Sequence, residues 1–401
     1  MIELSTKSLF FAAFLILSPF VLRTSSGIRK KYIFLLINIV IYICSMGSAL
    51  QLAVASVWLI CPYLYVRFLP SKTVSKTRPF FFALMVVIFV YLMKYDAVWN
   101  FLHIPYIFTF KLLGLSYFLF RQIDFIMQYD LFEEDGIPVS FGDYLNYILS
   151  FYTLLAGPIL RYAEFVTDFY EEKTALTRDE IYNALNRAIN GYLKVYLLSG
   201  IAGHFAKSFF DGLFDHGSIL KAAAAFCIFA FFNGWYIYLN FSGYCDIVIA
   251  FASLAGLKVH ENFNRPYLAR SVTEFWNRHH ITLSEWIRDY IYSPLFKSFI
   301  SGPFKKHVKA GQYLALFLTF TIAGIWHGTD LNYLIYGLFQ GLGVVVATML
   351  KDRRKKKYTK EQNKAWEASL AAATLGRCVT WGYICLTFSF VGYDVVGLVL
   401  K

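Results

Sequence analysis

Two histidines, His280 and His327, are the side chains in this sequence best suited to proton transfer. A histidine with a pKa near neutrality can take a proton from a hydroxyl group while that oxygen attacks an acyl carbonyl. His327 follows a run of uncharged residues and stands between Trp326 and Gly328, whereas His280 lies in a strongly polar segment. A single histidine in an apolar helix is more often a packed core residue than a catalyst. The pair therefore gives acyl transfer as a hypothesis that the rest of the sequence must support.

The polar segment around His280 runs from Glu261 to Leu295. Its ionisable side chains are Glu261, Arg265, Arg270, Glu274, Arg278, His279, His280, Glu285, Arg288 and Asp289. A charged side chain in contact with lipid costs about 2.5–3.5 kcal/mol even on the more lenient insertion scale. These side chains must therefore lie at a membrane interface or line a water-accessible cavity inside the protein.

Helical spacing predicts which of these polar side chains share a face. If residues 273–290 form one helix, their polar positions recur every three or four residues, which is one helix face. The residues of this stripe are Thr273, Asn277, His280, Ser284 and Arg288. Glu274 and Arg278, four residues apart, are predicted to form a local ion pair.

The composition excludes a soluble multidomain protein. Of the 401 residues, 58% are hydrophobic and only 16% are charged, which is typical of an all-α polytopic membrane protein. The net charge of +12 comes from short basic runs between apolar segments, as expected of cytoplasmic loops beside anionic lipid. We therefore expect the lipid bilayer as a partner and no nucleic acid. The six cysteines show no CxxC spacing and are interpreted as small buried hydrophobic residues.

The apolar segments predict about ten or eleven membrane-crossing helices, together with re-entrant and interfacial helices. The first is Leu9–Leu22, interpreted as a retained span. The region from Tyr32 to Val66 is too long for one crossing, so a turn at Met46–Ser48 is expected to divide it into two. A break or a re-entrant turn is expected at Gly157-Pro158, and Ile247–Leu257 is too short to cross and is predicted to be re-entrant or half-buried.

Further spans follow the same pattern. They are predicted at Phe80–Met93, Tyr106–Phe120, Gly191–Phe210, Ala222–Cys245, Gly311–Ile325 and Leu331–Leu350, with a last helix beginning at Trp381.

Several classes of chemistry lack their sequence signatures. The two histidines have neither HExxH spacing nor a Cys/His pattern, so we expect no metal. The chain contains no GxGxxG, Walker A or GxSxG element, which argues against nucleotide binding and serine hydrolysis. A transporter or flippase without covalent chemistry remains open, because intramembrane charges and broken helices also mark substrate pathways.

A long block of sequence resembles a known family. It is NFSGYCDIVIAFASLAGLKVHENFNRPYLARSVTEFWNRHHITLSEWIRDYIYSPL, followed some 30 residues later by GIWHG. Weaker matches lie upstream, at Gly114–Tyr117 with Phe120-Arg121 and at Leu155–Ile159 with Arg161-Tyr162. These motifs are similar to those of the membrane-bound O-acyltransferase family, in its bacterial branch of alginate O-acetylases and teichoic-acid D-alanyl transferases.

The resemblance implies one integral membrane acyltransferase domain over residues 1–401, built around a central tunnel. Residues 1–110 would be N-terminal helices, 111–345 the catalytic core, and 346–401 a basic loop and helix.

The resemblance also implies roles for individual residues. His327, in the WHG motif, matches the essential histidine of the family, and His280 matches its second histidine. The residues implied to line the tunnel or to form its framework are Asn277, Ser284, Arg288, Asp289 and Trp326. The chain departs from the pattern at His279, where relatives commonly have tryptophan, at Asn240, and at Ser293–Phe296.

The function implied by the resemblance is O-acyl transfer. An acyl group, most often acetyl, would pass from a cytoplasmic thioester (acetyl-CoA or an acyl-carrier protein) across the membrane. No cofactor would be bound. The acceptor would be an extracytoplasmic cell-surface polysaccharide or a partner protein, with an SGNH-type transferase as the expected partner. The location would be the bacterial cytoplasmic (inner) membrane, and D-alanyl transfer to teichoic acid is the alternative within the family.

The basic runs predict the orientation of the chain in the membrane. Arg23–Lys31 and Lys351–Lys357 should both be cytoplasmic, because segments rich in Lys and Arg beside a membrane span are retained on the cytoplasmic side. Cysteines placed in either run, in a chain without its native cysteines, should resist a membrane-impermeant thiol reagent in intact cells. The same cysteines should react once the cells are permeabilised. Labelling of either run in intact cells would contradict this orientation.

Overall fold

The structure is a computed structural model that describes residues 9–25, 27–92, 114–171, 176–213, 218–328 and 330–399. Within these ranges every regular element is a helix, apart from one isolated antiparallel bridge between Phe263 and His279. The prediction of an all-α protein is confirmed. The chain forms two compact units, Met1–Tyr192 with Gly243–His260, and Leu193–Ser242 with Glu261–Lys401. The assignment of the chain to one catalytic domain stays a prediction.

The first unit contains eight of the helices described here. They are α1 (Leu9–Arg23), α2 (Gly27–Ser45), α3 (Ala49–Phe68), α4 (Ser71–Leu92), α5 (Leu115–Glu134), α6 (Phe141–Leu149), α7 (Tyr162–Tyr170) and α8 (Arg178–Tyr192), with a 3-10 turn at Phe151–Thr153.

The remaining helices begin with a π-helical turn at Leu193–Leu198. They are α9 (Ser199–Asp211), α10 (Ile219–Leu254), α11 (Val272–Trp276), α12 (Ile281–Ile287), α13 (Ser293–Ser301), α14 (Val308–His327), α15 (Leu331–Lys357), α16 (Lys360–Ala368), α17 (Leu370–Phe388) and α18 (Val395–Val399). Pro266–Leu268 is a 3-10 turn and Arg288–Tyr292 a π-helical turn.

Four of the described helices, α3, α10, α14 and α15, are long and apolar enough to cross a membrane. A shorter apolar helix covers Phe11–Arg23. The total of ten or eleven crossings predicted from the sequence is larger, because it also counts segments that are shorter or more polar than these four helices. The predicted span Tyr106–Phe120 begins outside the described residues, which resume at residue 114.

The predicted turn at Met46–Ser48 is confirmed. Helix α2 ends at Ser45 and α3 begins at Ala49. Ser48 caps α3, because its side-chain oxygen accepts a hydrogen bond from the backbone N–H of Gln51 at 3.2 Å.

The prediction that Ile247–Leu257 is a separate re-entrant segment is wrong. Helix α10 is continuous for 36 residues and ends at Leu254. The charged residue just before Ile247 is compatible with a helix, since Asp246 forms an ion pair of 3.0 Å with Arg187 of α8. The basic run Lys351–Lys357, interpreted as a loop, is also helical and ends α15. Lysine and arginine favour helices and are stabilised near a helix C-terminus by its dipole.

The predicted break at Gly157-Pro158 is confirmed, and a buried arginine stabilises the chain there. Arg121 is fully buried, and its guanidinium donates to the backbone oxygens of Tyr147 (3.1 Å) and Ile148 (2.7 Å) and to Oγ1 of Thr153 (2.6 Å). These acceptors lie where α6 ends, so the arginine satisfies carbonyls that no longer have a helical partner.

Nearby, a buried carboxylate, Asp124, fixes the start of α7. It accepts hydrogen bonds from Nη1 of Arg161 (2.9 Å), the backbone N–H of Tyr162 (2.9 Å) and the hydroxyl of Tyr147 (3.0 Å). A buried carboxylate is tolerated only when it is paired and hydrogen-bonded in this way.

Helices α14 and α15 form a hairpin whose two members touch at glycines. A Cβ atom added to Gly324 would overlap Cα of Gly337 and would lie 2.7 Å from the backbone oxygen of Tyr333. A Cβ on Gly341 would lie 2.8 Å from the backbone oxygen of Phe317. Small residues allow membrane helices to approach this closely, and dispersion contacts then hold them together. The hairpin fixes the end of α14, which carries His327.

Replacing Gly324 with alanine should separate the two helices. The added methyl has no free space, so we expect a destabilisation of about 1–3 kcal/mol, the usual cost of overpacking. Thermal unfolding in detergent micelles would report it as a lower midpoint. The matched control is Gly382→Ala in α17, where an added Cβ meets nothing within 4 Å. Equal midpoints for the two variants would contradict the close contact.

Candidate active site

His327 is the last residue of α14 and lies among aromatic rings. Its ring centroid is 4.4 Å from that of Trp326 and 5.8 Å from that of Tyr336 in α15. The side chain retains exposed surface, whereas Tyr336 is buried. A molecule can therefore reach the imidazole, while the tyrosine behind it holds the ring in place.

Gly328 does not leave open space beside His327, although glycine has no side chain. The space where its side chain would lie is occupied by the ring of Tyr333, which a Cβ atom would overlap. The glycine lets the chain leave α14 closely packed against the first turn of α15. It therefore positions His327 through the hairpin and is not itself an opening for the substrate.

His280 does not lie on the continuous helix predicted for residues 273–290. Helix α11 ends at Trp276 and α12 begins at Ile281. His280 stands immediately before α12 with a left-handed backbone, φ 50° and ψ 52°. Such a conformation is uncommon for a residue other than glycine, and it persists where surrounding contacts hold it. The predicted one-sided polar stripe is therefore wrong.

A short antiparallel pairing holds the segment that contains the two adjacent histidines. The backbone N–H of Asn264 donates to the oxygen of Arg278 at 2.8 Å, and that of Ile281 donates to the oxygen of Asn262 at 3.0 Å. Asn262 is fully buried, and its Oδ1 lies 3.3 Å from Nδ1 of His280. The pairing fixes the position of His280 against residues that lie 16 to 18 positions earlier in the sequence.

His279 links His280 to the surroundings of His327. It is buried and stacks on Phe275 with ring centroids 4.7 Å apart, and its ring is 5.6 Å from that of Phe388. Phe388 is in turn 5.7 Å from Tyr336, which contacts His327. A series of rings therefore connects His327 to His279, and Phe263 and Phe241 continue it from His279 to His280 with centroid separations of 5.0, 5.1 and 4.7 Å.

Burial keeps the adjacent histidines neutral. Loss of solvation, with repulsion from His327, lowers the pKa of His279 to about 3. Loss of solvation, with repulsion from His279 and His327, lowers the pKa of His280 well below its usual value. At neutral pH both side chains therefore carry a free nitrogen lone pair.

A buried glutamine connects the helices around these rings. Gln340 of α15 accepts a hydrogen bond from Nε1 of Trp276 (3.2 Å) and donates one to Oγ1 of Thr387 (2.6 Å). Both partners lie in elements that carry ring neighbours of His279. Nothing in the local sequence of Gln340 predicts this bridge, because it depends on residues 64 and 47 positions away.

The other predicted site residues lie at different distances from this cluster. Trp326 contacts His327 directly, and Ser284 is half-buried one turn into α12. Asn277 is exposed where α11 ends. Arg288 and Asp289 are exposed and pair with each other at 3.0 Å. Their assignment to a tunnel stays a prediction.

The local ion pair predicted between Glu274 and Arg278 is confirmed. Their closest side-chain atoms are 2.9 Å apart, and both side chains are about one-third exposed. Asn262 is the residue that sequence reasoning missed. Its only signal is its position in the ENFNRPY stretch, which shows no periodicity that points to His280.

Comparisons with known proteins identify the family of the chain. Residues 76–390 match the model of MBOAT, the membrane-bound O-acyltransferase family. The chain is 29% identical over 287 residues to a teichoic acid D-alanyltransferase of Streptococcus thermophilus, covering 69% of this chain and 67% of that protein. It is 32% identical over 250 residues to a probable alginate O-acetylase of Pseudomonas putida, covering 61% and 48%.

A third relative is a peptidoglycan O-acetyltransferase of Helicobacter pylori, 28% identical over 287 residues, with 64% of this chain and 51% of that protein covered. These relatives are all named as acyl-group transferases or acetylases, and the family model covers most of the chain. The chain therefore belongs to the membrane-bound O-acyltransferase family and is an acyltransferase.

Proposed function

We propose that this protein transfers an acetyl group from a thioester to a hydroxyl group, with His327 as the general base. The observation that carries the proposal is the position of His327, which is accessible at the end of α14 and packed against Tyr336 and Trp326. In this step a nitrogen of His327 takes the hydroxyl proton as the oxygen attacks the thioester carbonyl. The C–O bond forms, the C–S bond breaks, and the proton passes to the departing thiolate.

The surroundings of the histidines favour an uncharged acyl group. Among the described residues, the titratable groups that shift the pKa of His279 and His280 are other histidines, and no carboxylate is among them. An acetyl group needs no counter-charge, whereas the ammonium of a D-alanyl group would be buried without one. This supports acetyl as the transferred group.

The donor and acceptor are proposed from the relatives. The donor is acetyl-CoA or an acyl-carrier protein on the cytoplasmic side, and the acceptor is a cell-surface polysaccharide or a partner protein outside the cytoplasm. An SGNH-type transferase would complete the delivery, and the site would lie in the bacterial cytoplasmic membrane. The named substrates of the relatives, alginate, peptidoglycan and teichoic acid, support an envelope polymer as the final acceptor.

D-alanyl transfer is the second candidate, and the extent of the alignments favours it. The teichoic acid D-alanyltransferases of Streptococcus thermophilus and Bacillus subtilis align with 69% and 73% of this chain, whereas the Pseudomonas putida O-acetylase aligns with 61%. The two candidates differ in their donor. Purified protein in lipid nanodiscs, given either radiolabelled acetyl-CoA or a D-alanyl carrier protein, would release or transfer label from one donor only. Transport of an intact donor without thioester cleavage would overturn both.

Replacing His327 with alanine should abolish the chemistry and leave the fold intact. His327 is an exposed residue at the end of α14, so its replacement opens little buried space, and we expect normal amounts of protein in the membrane. Acyl transfer should fall by roughly two or more orders of magnitude, the usual contribution of a general base. The matched control is His307→Ala, an exposed histidine that precedes α14. Near-normal transfer by a well-folded His327→Ala protein would exclude His327 as the base.

A further inference from the structure

The side chain of Asn262 makes three contacts through one oxygen atom. Oδ1 accepts a hydrogen bond from the backbone N–H of Thr282 at 3.1 Å and from Oγ1 of the same residue at 3.0 Å. It also lies 3.3 Å from Nδ1 of His280. Asn262 is fully buried and His280 is 5% exposed, so no solvent competes for these contacts.

The backbone donor settles which atom of the amide faces the histidine. A backbone N–H can only donate, so the atom that it contacts must be the amide oxygen and not the amide nitrogen. An oxygen acceptor in turn requires that Nδ1 of His280 carry a hydrogen. Since a neutral imidazole has a single N–H, Nε2 is left with its lone pair.

We propose that Asn262 is a positioning residue that holds His280 as the Nδ1–H tautomer, so that Nε2 accepts a hydrogen bond from the hydroxyl substrate. The second half of this proposal rests on the proposed acyl transfer. His280 would thus accept a hydrogen bond from a neighbouring hydroxyl of the acceptor, while His327 removes the proton of the hydroxyl that attacks the thioester. In this tautomer His280 cannot donate from Nε2 to a developing oxyanion, so the two histidines have distinct tasks.

The backbone around His280 is held without this contact. The antiparallel pairing through Asn264 and Ile281 uses backbone atoms only. The Asn262 amide is therefore not needed to hold the two paired segments together. Its contribution is to select one tautomer of His280. The aromatic neighbour of His280, Phe241, has its ring centroid 4.7 Å away with the two rings nearly perpendicular.

The state of the ring can be measured directly by nitrogen NMR of protein labelled with 15N-histidine in nanodiscs. His280 is assigned by the signals that disappear in His280→Gln. We expect a protonated Nδ1 and a bare Nε2 in the unsubstituted protein. The opposite assignment would overturn the proposal. This measurement does not depend on activity. If the protein transferred no acyl group, the proposed function would be refuted, but the tautomer of His280 could still be measured.

Asn262→Asp tests the contact without removing it. The carboxylate keeps the acceptor oxygen but stabilises the imidazolium form, which raises the pKa of His280. As the pH falls, His280 then becomes protonated at a higher pH than in the unsubstituted protein. Since only neutral His280 can accept a hydrogen bond, the acid limb of the pH–activity profile should move up by about 1–3 pH units. The other titratable groups that interact with His280 are His279 and His327, and neither is altered. An unmoved acid limb would contradict the proposal.

Asn262→Ala and Thr282→Val separate positioning from packing. Without the amide, His280 should show both tautomers in the NMR spectrum. The kcat/KM for the hydroxyl acceptor should fall about 10- to 100-fold, by analogy with the loss when a residue that orients a metal-binding histidine is removed. Thr282→Val removes another hydrogen bond to the same oxygen but leaves the contact to His280. It should keep the single tautomer, and mixed tautomers in Thr282→Val alone would overturn the assignment.

Discussion

The contact between Gly324 and Gly337 is the constraint on which the candidate site depends. It brings the backbones of α14 and α15 together, and it thereby places Tyr336 behind His327. Tyr336 in turn contacts Phe388 of α17, which contacts His279. A side chain at either glycine would displace this series of rings at its first step. The position of His327 against Tyr336 thus depends on the absence of two side chains.

Several buried polar groups in the described part of the chain are satisfied by partners distant in sequence. Arg121 donates to carbonyls at the end of α6, and Gln340 bridges Trp276 and Thr387. Asn262 does the same for His280 and Thr282. In an apolar environment an unpaired polar group costs several kcal/mol, so each such residue ties two segments together. These bonds specify one arrangement of helices where apolar contacts alone would allow several.

The sequence predicted the helical class, the α2–α3 turn and the break after α6, because apolar runs, Gly, Pro and Ser act locally. It also directed attention to His280 and His327 through their polar and apolar surroundings. It failed where the structure depends on distant partners. No proline or glycine announces the end of α11, and the left-handed backbone of His280 has no local signature. Asn262 acquires its role only through a pairing that brings together residues 18 positions apart.

Helix α10 has a consequence for how the protein fits its bilayer. At 36 residues it is about 54 Å long, whereas the hydrocarbon core of a membrane is about 30 Å thick. Such a helix must tilt steeply, or extend beyond the hydrocarbon into the headgroup region. Its ion pair between Asp246 and Arg187 suits the second arrangement, because a charged pair is stable at the wet edge of a bilayer. Lipid chain length sets the thickness of the hydrocarbon core. It therefore determines how much of this helix, the longest one described, lies outside that core.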